Sequence, residues 1–182
     1  MKELSLHLLD VIENSIKANA SLIELDIRED SLKDHLHFRI IDDGRGMEPE
    51  FVERVLDPFT TTRTTRKVGL GLSLFKAAAE QTGGGLTIAS EVGKGTIVEC
   101  WFGLSSIDRA PLGKMDDTLI LLISGYPDID FLYRHETDSG SMTFDTRFFR
   151  EALEDVPLNH VEVLKFLRKE FCEHFNQLHS KA

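Results

Sequence analysis

The segment Asp42-Asp43-Gly44-Arg45-Gly46-Met47 directly follows residues 37–41, which predict a β-strand. Two glycines around one residue allow a tight turn and let a flat ligand approach the backbone closely. Asp42, at the end of the strand, could accept a hydrogen bond from an exocyclic amine such as that of adenine. A plain strand-to-helix turn with a capping aspartate is the alternative interpretation of the same residues.

Upstream of this turn, apolar residues recur every four positions and predict a helix over residues 4–18; they are Leu4, Leu8, Ile12 and Ile16. Asp10, Asn14 and Lys17 are spaced four and three positions apart and therefore share one face of that helix. Their carboxylate, amide oxygen and ammonium could orient water, ligate Mg²⁺ and touch phosphate, respectively. A solvated helix face is the alternative.

Downstream of the turn, two further patterns suit an anionic ligand. Asp57-Pro58-Phe59 opens a polar loop over residues 60–68 that is rich in threonine and contains Arg63 and Lys67. Gly69-Leu70-Gly71-Leu72-Ser73 then leads into a helix predicted over residues 70–81. Glycines at a helix start let backbone N–H groups point at an anion, and the helix dipole adds to the attraction.

In their order and content, these patterns resemble the motifs of the GHKL superfamily, which comprises DNA gyrase, heat-shock chaperones, histidine kinases and the mismatch-repair protein MutL. Glu13-Asn14-Ser15 is similar to the N box, and residues 42–47 are similar to the first glycine box. Asp57-Pro58-Phe59 matches the F box of the kinases, and residues 69–73 match the second glycine box. The resemblance covers residues 4–103.

The resemblance implies ATP and Mg²⁺ as ligands and a role for each matching residue. Asn14 would chelate Mg²⁺, Lys17 would reach a phosphate, and Asp42 would hold the adenine amino group. The other implied binding residues are Gly44, Gly46 and Met47 at the base pocket, Phe59 before the lid, Thr60, Thr61, Thr62, Arg63 and Lys67 in the lid, Gly69, Leu70, Gly71 and Leu72 around the phosphates, and Thr96 on the strand behind the adenine.

The implied catalytic residue is Asp10. The general base of the family lies four residues before the N-box asparagine and is often glutamate. An aspartate at this position is one methylene shorter and reaches a water or a substrate hydroxyl less far. Glu13 is rotated away on the helix, which makes it the poorer candidate.

The sequence also departs from the family in what accompanies the motifs. The first predicted helix begins at once, and the pair His135-Glu136 lacks the Arg-Thr-Pro of kinase phosphoacceptor boxes. We therefore expect a free-standing ATPase module, similar in this respect to the anti-sigma-factor serine kinases.

The predicted fold class is α+β, a Bergerat-type two-layer α/β sandwich whose mixed, mostly antiparallel sheet has helices on one face. Residues 1–104 would form the histidine-kinase-like ATP-binding domain, and residues 105–116 a connector. Residues 117–182 would be a C-terminal α/β extension packed on the same domain. Its predicted elements are a buried strand at 119–123, a strand at 131–135, and helices at 146–154 and 161–178.

Composition restricts the partners. The formal net charge of −10, from 21 Lys+Arg against 31 Asp+Glu, disfavours nucleic acid and anionic lipid. Cys100 and Cys172 form no CxxC pair and indicate a reducing compartment. No signal-peptide or membrane-spanning pattern occurs, so a cytoplasmic location is expected.

Three functional hypotheses follow from these patterns. The first is transfer of phosphate from Mg-ATP to a protein partner, or slow hydrolysis of ATP. The second is a nucleotide-gated binding module without productive chemistry. The third is a histidine-kinase catalytic unit that acts on a separate phosphoacceptor protein. The sequence identifies neither the partner nor the oligomeric state.

Overall fold

A computed structural model describes residues 2–56 and 71–182, which contain six helices and six strands. The elements in chain order are α1 (Leu4–Lys17), β1 (Leu22–Asp30), β2 (His35–Asp42), α2 (Pro49–Val55), α3 (Gly71–Glu80), β3 (Gly85–Glu91), β4 (Gly95–Gly103), α4 (Met115–Gly125), β5 (Asp130–Thr137), β6 (Gly140–Asp145), α5 (Thr146–Leu153) and α6 (Val161–Leu178).

The strands form one sheet in the order β3-β4-β2-β1-β5-β6. Four of the five neighbouring pairs are antiparallel, and only β1 and β5 are parallel. A strand that alternates between two faces buries every second side chain, and β1 buries Ile23, Leu25 and Ile27 while its intervening residues stay partly exposed. The predicted α+β class, with a mostly antiparallel sheet and helices on one face, is confirmed.

The core lies between the sheet and the helices. The apolar stripe of α1 packs into it, with Leu4 and Leu8 fully buried. Phe75 of α3 reaches Phe38 of β2 and Phe102 of β4 with ring centroids 6.0 and 5.6 Å apart. This packing fixes α1 and α3 side by side on the sheet.

The prediction of a buried strand at 119–123 is wrong, because these residues lie within α4. A short apolar run fits a buried helix as well as a buried strand, and periodicity alone does not distinguish them. Leu119, Ile120, Leu122 and Ile123 are buried, whereas Leu121 between them is 57% exposed, so the helix packs one face against the core and directs an apolar side chain outward. Two acidic residues in its first turn suit a helix N-terminus.

Candidate functional site

The centre of the site is Asp42, the last residue of β2. It is 6% exposed, and each oxygen of its carboxylate accepts a hydrogen bond. Ser15 Oγ on α1 donates to Oδ2 at 2.6 Å, and the Gly44 N–H donates to Oδ1 at 2.9 Å. A carboxylate has about four acceptor positions, so these two bonds hold Asp42 in one orientation and leave acceptor positions that no described residue fills.

The neighbouring Asp43 is occupied by the protein itself. Its Oδ1 accepts the backbone N–H groups of Ser21 and Leu22 at 2.7 and 2.9 Å, and its Oδ2 accepts the Ser21 hydroxyl. Burial alone would raise the pKa of Asp43, but these hydrogen bonds outweigh it and lower the pKa below the usual value. Asp43 therefore ties the start of β1 to the end of β2.

The glycine turn is packed tightly between α1 and the β3–β4 hairpin. The Arg45 N–H donates to the Ala18 carbonyl at 3.0 Å, and the Gly93 N–H donates to the Arg45 carbonyl at 2.8 Å. Gly46 has φ +67°, and a Cβ there would lie 2.0 Å from the Glu91 carbonyl oxygen. Glycine is required at this position both by its φ angle and by this close approach.

Ser90 of β3 connects the turn to Thr96. Its hydroxyl accepts the Met47 N–H, donates to the Gly95 carbonyl, and contacts Thr96 Oγ1, each at 2.9 Å. Thr96 is the register partner of Asp42 in the β2–β4 pair. The structure thus places Met47 and Thr96, both predicted site residues, around the same turn as Asp42.

Asp10 lies where α1 meets the start of α3. A Cβ on Gly71 would be 2.9 Å from the Asp10 Cβ and 3.2 Å from its Oδ2, so only glycine lets the helices approach this closely. Withdrawal from water, followed by the charge of Glu13, raises the pKa of Asp10, and Lys17 partly opposes the shift. The close approach of Gly71 to Asp10 places the Asp10 carboxylate at the amino-terminal end of α3.

Asn14 and Lys17 differ in their environments. The Lys17 ammonium pairs with Glu13 Oε2 at 3.1 Å, and the lysine side chain is 66% exposed. Asn14 is half-buried, and its side chain makes no hydrogen bond with residues 2–56 or 71–182. The amide of Asn14 is therefore free to bind within the described part of the chain, whereas Lys17 must leave Glu13 to reach a ligand.

Some predicted site residues lie outside the described residues, namely Phe59, Thr60, Thr61, Thr62, Arg63, Lys67, Gly69 and Leu70. Gly71 and Leu72 are described, and the Leu72 side chain is buried in the core. Ser15 and Ser90 were not predicted as site residues. Ser15 carried a signal only as the serine next to Asn14, and Ser90 carried none, because its contacts depend on the pairing of β3 with β4.

A carboxylate is held at a glycine turn, with a helix start beside α1, and comparison with known proteins identifies the class to which this arrangement belongs. Residues 2–106 match the model of the histidine kinase-, DNA gyrase B- and HSP90-like ATPases. The chain belongs to this family, as the resemblance implied, and membership implies that the domain binds ATP.

The relatives include sensor kinases. The chain is 38% identical to the sensor kinase CckA of Brucella abortus (strain 2308) over 78 residues, which are 42% of this chain and 8% of that protein. It is 28% identical to a putative sensor histidine kinase, NtrY-like, of Rickettsia felis (strain ATCC VR-1525 / URRWXCal2) over 108 residues, 59% of this chain and 18% of that protein. The chain thus spans less than a fifth of the length of either relative.

A solved structure supports the fold. The N-terminal domain of a DNA repair protein matches with a TM-score of 0.53 at 18% identity, covering 80% of this chain and 52% of that one. Among the described residues, no helix combines the length and the apolar character needed to cross a membrane.

Proposed function

We propose that this protein binds Mg-ATP between α1, the glycine turn and α3, and transfers the terminal phosphate to a protein partner or hydrolyses it slowly. The observation that carries the proposal is the position of Asp10 beside the start of α3, with its pKa raised by withdrawal from water. A base is most effective when its pKa approaches the working pH. A helix start is also where phosphate binds favourably.

Recognition of adenine is assigned to Asp42 and the turn after it. Asp42 is held by Ser15 and by the Gly44 N–H, so its remaining lone pairs can accept the adenine amino group without reorganisation. Gly44 and Gly46 would form the floor of the base pocket, with Met47 beside it and Thr96 behind the base. A preorganised acceptor of this kind gives affinity at little entropic cost.

Magnesium is assigned to Asn14. Its amide oxygen is a hard ligand of the type that Mg²⁺ prefers, and the side chain is free within the described residues. No group of three or more His, Cys, Asp or Glu side chains that could hold a metal ion occurs in that part of the chain, so phosphate oxygens and water would complete the shell. When bound, the ion would neutralise charge on the phosphates, and Lys17 would add a second positive charge after leaving Glu13.

The proposed chemistry of the protein groups is a single proton transfer coupled to displacement. Asp10 accepts the proton of an acceptor hydroxyl or of water, whose oxygen bonds to the γ-phosphorus as the bond to the β-phosphate oxygen breaks. The products are ADP and either a phosphorylated partner or free phosphate. With a histidine acceptor, the ring nitrogen is the nucleophile, and Asp10 would accept the proton from the other ring nitrogen.

The test combines calorimetric binding of ATP, with and without Mg²⁺, with a phosphate-release assay on the same samples. Asp10→Asn should retain ATP binding and lose turnover by about a hundredfold or more. Asn14→Ala should lose the magnesium-dependent part of binding. Glu80→Gln is the matched carboxylate control, and it should change both readouts little because Glu80 lies at the end of α3 opposite to Asp10 and pairs with Lys76 at 3.8 Å.

Wild type that binds ATP but shows no turnover would contradict the enzymatic proposal and favour a nucleotide-gated binding module. If turnover is present and a phosphorylated partner is isolated, acid treatment distinguishes the acceptor. Phosphate on serine or threonine survives acid, whereas phosphate on histidine is lost.

A further inference from the structure

The strand β6 forms one edge of the sheet. Within residues 2–56 and 71–182, β6 pairs with β5 and with no other strand. In an antiparallel pair, every second residue directs its backbone N–H and C=O away from its partner. The outer side of β6 therefore presents unpaired backbone donors and acceptors, which can pair with an added strand.

An apolar groove of about 380 Å³ lies beside this edge, between β6, α5 and α6. Its aromatic floor is Phe144 of β6, whose ring lies 4.9 Å from Phe149 and 4.7 Å from Phe171. Phe148 of α5 also lines the groove and is 76% exposed. The groove thus has a packed floor and an aromatic side chain on its rim that the described residues leave largely uncovered.

The charges around the groove are negative after internal pairing. Arg147 of α5 forms an ion pair with Asp145 at 2.7 Å. Arg150 of the same helix pairs with Asp130 at 2.9 Å. Glu170 lines the groove, and Glu151 follows Phe148 by three residues on the same side of α5. Neither glutamate makes an ion pair with a residue of the described ranges, so a cationic partner would be attracted.

We propose that this edge docks an extended segment of a partner protein. The segment pairs its backbone with β6, places one apolar side chain in the groove beside Phe148, and carries Lys or Arg opposite Glu170 and Glu151. A second copy of this chain fits poorly, because each copy has a net charge of −10 and would bring the same carboxylates to the contact. The proposal concerns partner binding and does not depend on the proposed ATP chemistry.

The test uses a phage-displayed library of random nine-residue peptides, panned on the full-length chain. The enriched peptides are then synthesised and titrated against wild type and variants. We expect them to share alternating apolar residues flanked by Lys or Arg. Phe148→Asp and Glu170→Lys should each weaken their binding about tenfold or more, and nucleotide affinity should not change.

Leu32→Asp is the matched control, because Leu32 is 99% exposed in the β1–β2 turn, away from the groove. The proposal is overturned if no peptide is enriched, or if enriched peptides bind Phe148→Asp as tightly as wild type. It is also overturned if sedimentation shows that the chain itself dimerises and that Phe148→Asp converts it to a monomer. In that case the occupant of the groove is a second copy.

Discussion

Among single residues, Asp42 and Asp43 show how position along a strand end determines the role of a carboxylate. Asp42 points into the protein, where Ser15 and Gly44 hold it. Asp43, one residue later, points to the other side and takes three donors from Ser21 and Leu22. The alternation of a strand therefore separates the proposed ligand acceptor from the residue that closes the turn.

Ser15→Ala tests whether the orientation of Asp42 matters for nucleotide binding. Loss of a hydrogen bond to a carboxylate costs about 1.5 kcal/mol or more, so we expect ATP affinity measured by calorimetry to fall about tenfold. Ser21→Ala is the matched control, because its hydroxyl donates to Asp43 instead. Equal affinities of the two variants for ATP would show that Ser15 does not act through Asp42.

His7 supplies a prediction of pH dependence. It is 3% exposed, its ring stacks on Phe75, and its Nδ1 has no hydrogen-bond partner within the described residues. Burial, followed by the positive charge of the amino terminus, lowers its pKa from 6.5 to about 4. The unfolded chain takes up this proton as the pH falls below 6.5, whereas the folded chain takes it up only near pH 4. The contribution of neutral His7 to the free energy of unfolding is therefore fully present above pH 6.5 and is lost as the pH falls towards 4.

His7→Phe keeps a ring against Phe75 and removes the titration. We expect the free energy of unfolding of wild type, relative to this variant, to fall by up to about 3 kcal/mol between pH 7 and pH 4. Urea denaturation at several pH values in that range measures the difference. Parallel pH profiles for the two proteins would contradict the assignment of a lowered pKa to His7.

How far the sequence predicts the site depends on the range of the interactions. Asp42 follows from a strand-and-turn pattern within ten residues, and Asp10 and Asn14 from helical spacing, so local rules place them. The contact of Ser15 with Asp42 spans 27 positions and depends on how α1 is rotated on the sheet. Ser90 likewise enters only through the pairing of β3 with β4, which no local pattern specifies.

Among the secondary-structure elements, the turn between β2 and α2 is constrained by the hairpin that packs on it. Gly46 and Gly83 both have positive φ, +67° and +78°, but only Gly46 faces another backbone. A Cβ on Gly83 meets no described atom within 4 Å. Substituting alanine for each glycine therefore separates the stability lost through the backbone angle from the stability lost through a steric clash.

Gly83→Ala should lose about 1 kcal/mol of unfolding free energy, the usual cost of a left-handed angle. Gly46→Ala should lose at least about 2 kcal/mol more, because the hairpin must move away from the turn. Urea denaturation gives both values, and calorimetry should show weaker ATP binding for Gly46→Ala only. Similar losses for the two variants would indicate that the hairpin yields easily at Glu91.

The wrong prediction of a strand at residues 119–123 concerns the type of a secondary-structure element. Strands with alternating burial, such as β1, and helices with a one-sided stripe, such as α1, carry their period in the sequence. The run in α4 is apolar in succession although Leu121 is 57% exposed, so the sequence does not show that the helix buries only one face. An apolar residue at an exposed position removes the period, and a short apolar run then fits a strand as well as a helix.

For the whole molecule, the part of the chain beyond the family match is joined to the rest by the sheet and by a buried polar group. β5 pairs with β1 in parallel over seven register partners. Glu29 of β1 is 4% exposed and accepts hydrogen bonds from Ser180 Oγ at 2.6 Å and the Lys181 N–H at 2.7 Å, with His135 Nε2 at 2.9 Å. Burial alone would raise the pKa of Glu29, but these hydrogen bonds lower it.

We propose on these grounds that residues 107–182 complete the ATP-binding domain, and that a chain ending at Ser106 does not fold cooperatively. Truncation opens one edge of β1, exposes apolar side chains of α1 that face α4, and removes the three partners of Glu29 among the described residues. Burial of one large apolar side chain contributes about 1.5–3 kcal/mol, so the loss of several exceeds the usual stability of a domain. Circular dichroism during urea denaturation and ATP calorimetry measure the effect.

Deletion of residues 179–182 is the matched control, since it removes Ser180 and Lys181 but keeps β5 and α6. This variant should remain folded, with a loss of about 1–3 kcal/mol in the free energy of unfolding. A chain ending at Ser106 that unfolds cooperatively and binds ATP as well as the full chain would show instead that the family-matched residues form an independent domain.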